Sequence, residues 1–218
     1  MTARFLLLLI RLRLSHMMVF RLSFFGAFFA DGTLFAVQLL TFGVIYGQID
    51  GIGGWRRGQM LIFIGTFSMI NAINMLVYFF GIVDIPRKIR EGGLDLYLTK
   101  PGSALLRLTF ESVNPGSAPL LLLSGLIIAA GAAAEGVRLT APLALAYTGL
   151  VLLMTLLWYD MELILRTIPF FVISATAVDR LEGDMINLNF KIPGVIYEGA
   201  WRVLFCYALP YGVMATAP

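Results

Sequence analysis

The sequence is poor in the groups that do chemistry. Of its 218 residues only 13% are charged, one is cysteine and one is histidine. A single cysteine, Cys206, excludes an internal disulfide and a four-cysteine zinc site. The lone histidine, His16, lies in the N-terminal segment with no HExxH around it, so a zinc intramembrane protease of that type is excluded. There is no GxxxxGK phosphate loop, no GxGxxG after a strand and no GxSxG. If ATP drives this protein, another chain binds it. Asp160 and Glu162 are two apart and do not share a helical face, so they form no natural acid and base pair. No catalytic residues, metal or cofactor are expected.

What the chain does have is apolar length. Hydrophobic residues make up 59% of it and the mean hydropathy is +0.87, whereas a soluble domain carries about 25% charged residues. The apolar runs are continuous and do not alternate, which disfavours a membrane barrel. A membrane helix needs about 20 apolar residues, so the chain has room for five or six spans, of which about five are expected, in a single domain over 1–218. The fold class expected is an all-α polytopic helical bundle. The net charge is +3, and its basic residues cluster at loop positions. That pattern sets membrane orientation and does not suggest nucleic-acid binding.

Residues 1–21 carry Arg4, Arg11, Arg13, His16 and Arg21 among Leu, Met and Phe. Arg11 and Arg13 interrupt the apolar run too early for a removable signal, and no small-residue cleavage site follows. This segment reads as an amphipathic helix in the inner-leaflet interface, its arginines reaching the headgroups. A first span is expected over 22–46, a second over 59–80, a third over 113–134 and a fourth over 143–163. The run 167–190 would be a fifth, but 179–184 is too polar to face lipid and must line protein or water. Asp31 lies within the first span, either on a transport path or paired with an arginine such as Arg21. Asn71 and Asn74 share a face of the second, where amides either bridge to a neighbouring helix or face a substrate. The Gly- and Ala-rich run 125–134 permits close helix packing. Glu162 and Arg166, four apart, suit a helix-end ion pair.

The densest patch of charge is 84–101, between two long apolar runs. It reads as a short helix over 86–90, with Pro86 in its first turn and Gly92-Gly93 ending it. With Arg87, Lys88, Arg90, Lys100 and Arg107, the 84–107 loop is the most basic short connection and the best cytoplasmic candidate. The glycine-rich connection with Trp55 and Arg56-Arg57 then falls outside.

These residues also carry a resemblance. Arg90-Glu-Gly-Gly-Leu-Asp-Leu-Tyr-Leu-Thr-Lys-Pro101 resembles the REGxLDxxLxRP stretch of a bacterial family of ABC-2 type transporter permeases. Gly53-Gly-Trp-Arg-Arg-Gly-Gln-Met60 resembles that family's GGW…GEM entry to the second span. Phe170-Phe171, Lys191-Ile-Pro193 and Leu209-Pro210 follow in the order of its later landmarks. The resemblance runs from about residue 20 to the end. It implies an N-terminal elbow helix over 1–21, a coupling loop over 84–107 and re-entrant outer-leaflet helices over 193–218. It also implies an exporter subunit in the bacterial inner membrane, surrounded by lipid. Its partners would be an ATP-binding cassette subunit and a second copy or a similar permease. On this reading Arg87, Lys88, Arg90, Glu91 and Asp95 form the docking surface, and Asp31, Asn71 and Asn74 are candidates for the transport path. Similar permeases continue into a final span that has no counterpart here. The other function class expected is therefore a non-transporting accessory subunit or a truncated remnant.

Overall fold

A computed structural model of the chain describes residues 21–49, 51, 54–100, 102–171, 176–214 and 216–217. Helix α1 is Arg21–Ile45, α2 is Arg57–Val77, α3 is Phe79–Ile82, α4 is Ile85–Arg90, α5 is Asp95–Leu98 and α6 is Ala104–Phe110. A 3-10 turn, Pro115–Ser117, leads into α7, Ala118–Ala134. Helix α8, Ala141–Thr167, ends in a second 3-10 turn, Ile168–Phe170, and α9 is Thr176–Lys191. The last elements are a 3-10 turn at Gly194–Ile196, α10 at Gly199–Val203, a π-turn at Leu204–Ala208 and α11 at Tyr211–Met214. The described residues hold no strand, so the all-α expectation is met.

Among the described residues, three helical stretches are long and apolar enough to cross a membrane: Arg57–Val77, Pro115–Ala134 and Ala141–Thr167. Helix α1 has 25 residues, with a described apolar stretch at Phe35–Ile45. At 1.5 Å per residue it spans roughly 37 Å. The 167–190 stretch is not one continuous helix. Pro169 lacks the N–H that would continue α8, which gives way to the 3-10 turn at Ile168–Phe170, and α9 begins at Thr176. The interfacial helix expected over 1–21 falls outside the described residues, apart from Arg21 at the start of α1.

Helices α2 and α7 pack antiparallel along their length. A Cβ on Gly65 would meet Ile128 Cγ1 at 2.6 Å, and one on Gly131 would meet the Gly58 carbonyl at 2.7 Å. The glycines let the two backbones close without that clash, as the Gly- and Ala-rich run predicts. At one end the Asn114 N–H donates to the Leu76 carbonyl at 2.9 Å. At the other, Arg56 faces Glu135 at 4.0 Å. The connections around 50 and 135 therefore lie together, opposite the 84–107 loop.

The main core gathers Phe42, Met60, Phe63, Ile64, Phe67 and Ile70 with Met154 and Trp158, and is closed by Tyr211 and Met214. Met185 and Ile186 of α9 pack against it, so α9 and α11 are seated on the bundle. Gly194 lies against Gly212, where a Cβ would come within 1.9 Å of the Gly212 carbonyl. The 193–217 segment thus folds back on itself.

Candidate functional site

The 78–111 stretch is a small lobe with its own core. Tyr78, Ile82, Ile85 and Leu108 are buried together, and Ile89, Leu94 and Tyr97 pack on them beside Tyr159 and Leu163 of α8. Gly81 permits α3 and α6 to meet, since a Cβ there would stand 1.9 Å from the Leu108 carbonyl. Tyr78 also donates to the Thr155 carbonyl at 3.2 Å, and its ring meets Tyr159 edge-on at 5.0 Å. The lobe is thereby fixed to a membrane helix through packing and hydrogen bonds, a second one joining Thr109 to Tyr159 at 3.0 Å.

Helix α4 forms as its residues dictate. Pro86 sits in the first turn, and Gly92 follows the end with φ +70°, a conformation glycine adopts without strain. The charges of this helix divide into two sets. Lys88 points inward: its side chain is 15% exposed and its ammonium binds the Glu111 carboxylate. Tyr97 donates to the same carboxylate at 2.8 and 2.9 Å. Lys88 Nζ and the Arg107 guanidinium lie over the Tyr97 ring, 4.7 and 5.0 Å from its centre. Burial alone would lower the Lys88 pKa, but the hydrogen bonds to Glu111 and Tyr97 outweigh it and raise the value. Glu111 thus ties α4 and α5 to the end of α6.

The second set points outward. Arg87 and Glu91 side chains are 61% and 63% exposed, and Arg90 and Asp95 are exposed beside them. Arg87 grips Asp84 with two bonds of 2.7 and 2.8 Å, and that hydrogen bonding holds the Asp84 carboxyl below its usual range. Leu96 and Leu98 of α5 are also exposed, adding apolar surface to the charged face. Of the five docking candidates, four are exposed. Lys88 instead holds the lobe together from within.

A second polar cluster is buried within the bundle. Glu162, 2% exposed, accepts from Asn74 Nδ2 and from Trp158 Nε1, each at 3.1 Å. Asn74 therefore bridges to a neighbouring helix, one of the two roles its position allows. Arg166, which the i, i+4 spacing assigns to Glu162, also reaches α9. Its Nη2 meets Glu182 Oε2 of α9 at 2.8 Å. The reason is geometric: α9 brings a second carboxylate to Arg166, while Glu162 is turned toward α2 and Trp158. Glu182 is absent from the sequence-derived candidates, although the polar run around it signals contact with protein or water.

Helix α9 is two-faced. Glu182, Met185 and Ile186 turn toward the bundle, whereas Arg180, Asp184, Asn187 and Lys191 are exposed in an i, i+4, i+7, i+11 stripe. Asn71 is half-buried on α2. Asp31 lies in α1, but its side chain falls outside the described residues. Among the described residues no group of three or more His, Cys, Asp or Glu side chains is arranged to hold a metal.

A protein-family model described as "ABC-2 family transporter protein" matches residues 33–218. The chain belongs to that family. It is a membrane protein and a permease of an ABC transporter, a class whose membership implies an ATP-binding partner subunit. No curated protein and no solved structure matches the chain significantly.

Proposed function

We propose that this chain is the multi-pass membrane subunit of an exporter in the bacterial inner membrane, and that the 78–111 lobe transmits the work of a separate ATP-binding subunit to the spans. The observation that carries the reading is the division of charge across α4 and the start of α5. Arg87, Arg90, Glu91 and Asp95 face outward and could contact a partner, while Lys88 and Glu111 make the lobe rigid enough to move as a body. A push on α4 would reach α8 through Tyr78, Tyr159 and Leu163. Rigid displacement of packed elements is how such movements are transmitted.

The transport path would run between this chain and a second copy or a similar permease. The exposed stripe of α9 supports this, since Arg180, Asp184, Asn187 and Lys191 are costly against hydrocarbon and favourable against water or a polar partner. Asp31 and Asn71 remain candidates for the path, with Asn74 supporting its wall through Glu162. The test is ATP hydrolysis by the partner subunit reconstituted with this chain in liposomes. Wild-type chain should stimulate it. A variant carrying Arg87→Glu and Arg90→Glu should not, and equal stimulation by both would remove the lobe from the coupling route.

A further inference from the structure

A crevice of about 330 Å³ lies between α2, α6 and α8, beside the loop lobe. Its walls are Ile73 and Val77 of α2, Leu106 and Phe110 of α6, and Leu152 and Leu156 of α8. Four hydroxyls also line it, but their protons are already engaged inside the protein. Tyr78 donates to the Thr155 carbonyl, Thr155 to Val151 O at 2.8 Å and Thr109 to Leu105 O at 2.8 Å. Tyr159 and Thr109 share a further bond of 3.0 Å. The lining therefore offers a ligand apolar surface and almost no free donor, so a polar solute would lose its hydration there without replacement.

Leu106, Leu152 and Leu156 are exposed at the rim. Because α2 and α8 are membrane-crossing helices, this rim opens toward hydrocarbon. Arg107 does not line the crevice but stands on α6 next to Leu106, which does. It lies over the Tyr97 ring and makes no ion pair with a described carboxylate. An apolar slot beside an arginine without a carboxylate matches a molecule with an alkyl chain and an anionic head.

We propose that the crevice holds one acyl chain of a membrane phospholipid, with Arg107 taking its phosphate. The lipid would wedge between α6, which belongs to the loop lobe, and α8, which belongs to the bundle. It would be a bound component of the coupling region, distinct from the lipid that merely surrounds the spans. The inference needs only that the chain lies in a membrane, and it stands or falls separately from the docking of an ATP-binding subunit.

The experiment is native mass spectrometry of the chain purified in mild detergent from vesicles of phosphatidylethanolamine and phosphatidylglycerol. Wild-type protein should retain phospholipid. Leu156→Trp, which fills the slot, and Arg107→Gln, which leaves its apolar walls unchanged, should each reduce retention by about tenfold, the change expected for about 1.4 kcal/mol of lost binding. Leu122→Trp, on an exposed lipid-facing part of α7, should leave retention unchanged and controls for general delipidation. Wild-type retention in both Leu156→Trp and Arg107→Gln would overturn the proposal, as would equal loss in the Leu122→Trp control. Efficient disulfide crosslinking of two copies through Leu156→Cys would also overturn it, since a second chain and not lipid would then cover the slot.

Discussion

Arg166 and Glu182 meet at 2.8 Å with side chains 10% and 2% exposed, joining the longest membrane helix, α8, to the polar helix α9. The contact explains how a segment as hydrophilic as α9 is held on an apolar bundle. One carboxylate is buried against a guanidinium, and Met185 and Ile186 supply the apolar contact beside it. The sequence spacing points to Glu162 as the Arg166 partner, and the structure adds Glu182 of α9, while Glu162 Oε1 accepts from Asn74 and Trp158.

Removing one member of this pair takes from the other, itself buried, its ion-pair partner on the facing helix. Glu182→Leu alone, or Arg166→Leu alone, should destabilise the protein by about 3–5 kcal/mol. The double replacement should cost clearly less than the sum of the two. Thermal unfolding in detergent of all four proteins gives the coupling energy directly. Additive losses would mean that the pair does not hold α9.

The lobe should depend on pH through Asp84 and Lys88. The folded pKa of Asp84 is lowered, chiefly by its hydrogen bond to Arg87. Its contribution is therefore present above the unfolded value of 3.8 and is lost as pH falls through the folded pKa. The folded pKa of Lys88 is raised, so its contribution is present below the unfolded value of 10.5 and is lost as pH rises through the folded pKa. Protease protection of the 84–107 loop should thus fall at both extremes. Asp84→Asn should remove only the acid limb and Glu111→Gln should weaken the alkaline one. An unchanged acid limb in Asp84→Asn would contradict this assignment.

The exposed stripe of α9 can be tested by labelling. In a background with Cys206→Ser, cysteines at Asp184 and Asn187 should react with a membrane-impermeant thiol reagent. Cysteines at Leu126 and Leu145, both exposed on apolar spans, should react far more slowly, because the reagent does not partition into hydrocarbon. Equal, slow labelling at all four would mean that the stripe is covered and does not face water.

Much of this architecture is legible in the sequence. Continuous apolar runs give α2, α7 and α8, because burying or membrane-embedding about 20 residues leaves few alternatives. Pro86 and Gly92 mark the ends of α4, since both act through the local backbone. The same local reasoning places Arg87 and Lys88 together as docking residues. It cannot separate them, because the turn of one residue between them directs Lys88 to Glu111, 23 positions away. Glu182 is hidden for a related reason: its partner lies beyond a proline break, and no periodicity crosses that break. The terminal segment shows the opposite case. Its short interrupted elements follow from Pro193 and Pro210, the approach of Gly194 to Gly212 folds them on one another, and Tyr211 and Met214 return them to the bundle.

The most direct measurement of the central claim is retention of the ATP-binding subunit on the tagged chain in mild detergent. The subunit is identified by its Walker A motif in wild-type eluates. Three proteins are compared: wild type, Arg87→Glu with Arg90→Glu, and Glu111→Gln. The account predicts that wild type retains the subunit and that the outward reversal releases it. Glu111→Gln, whose outward face is intact, should still bind but with a lobe more open to protease. Undiminished retention by the Arg87→Glu, Arg90→Glu protein, with its fold preserved, would contradict the account and move the docking surface away from α4.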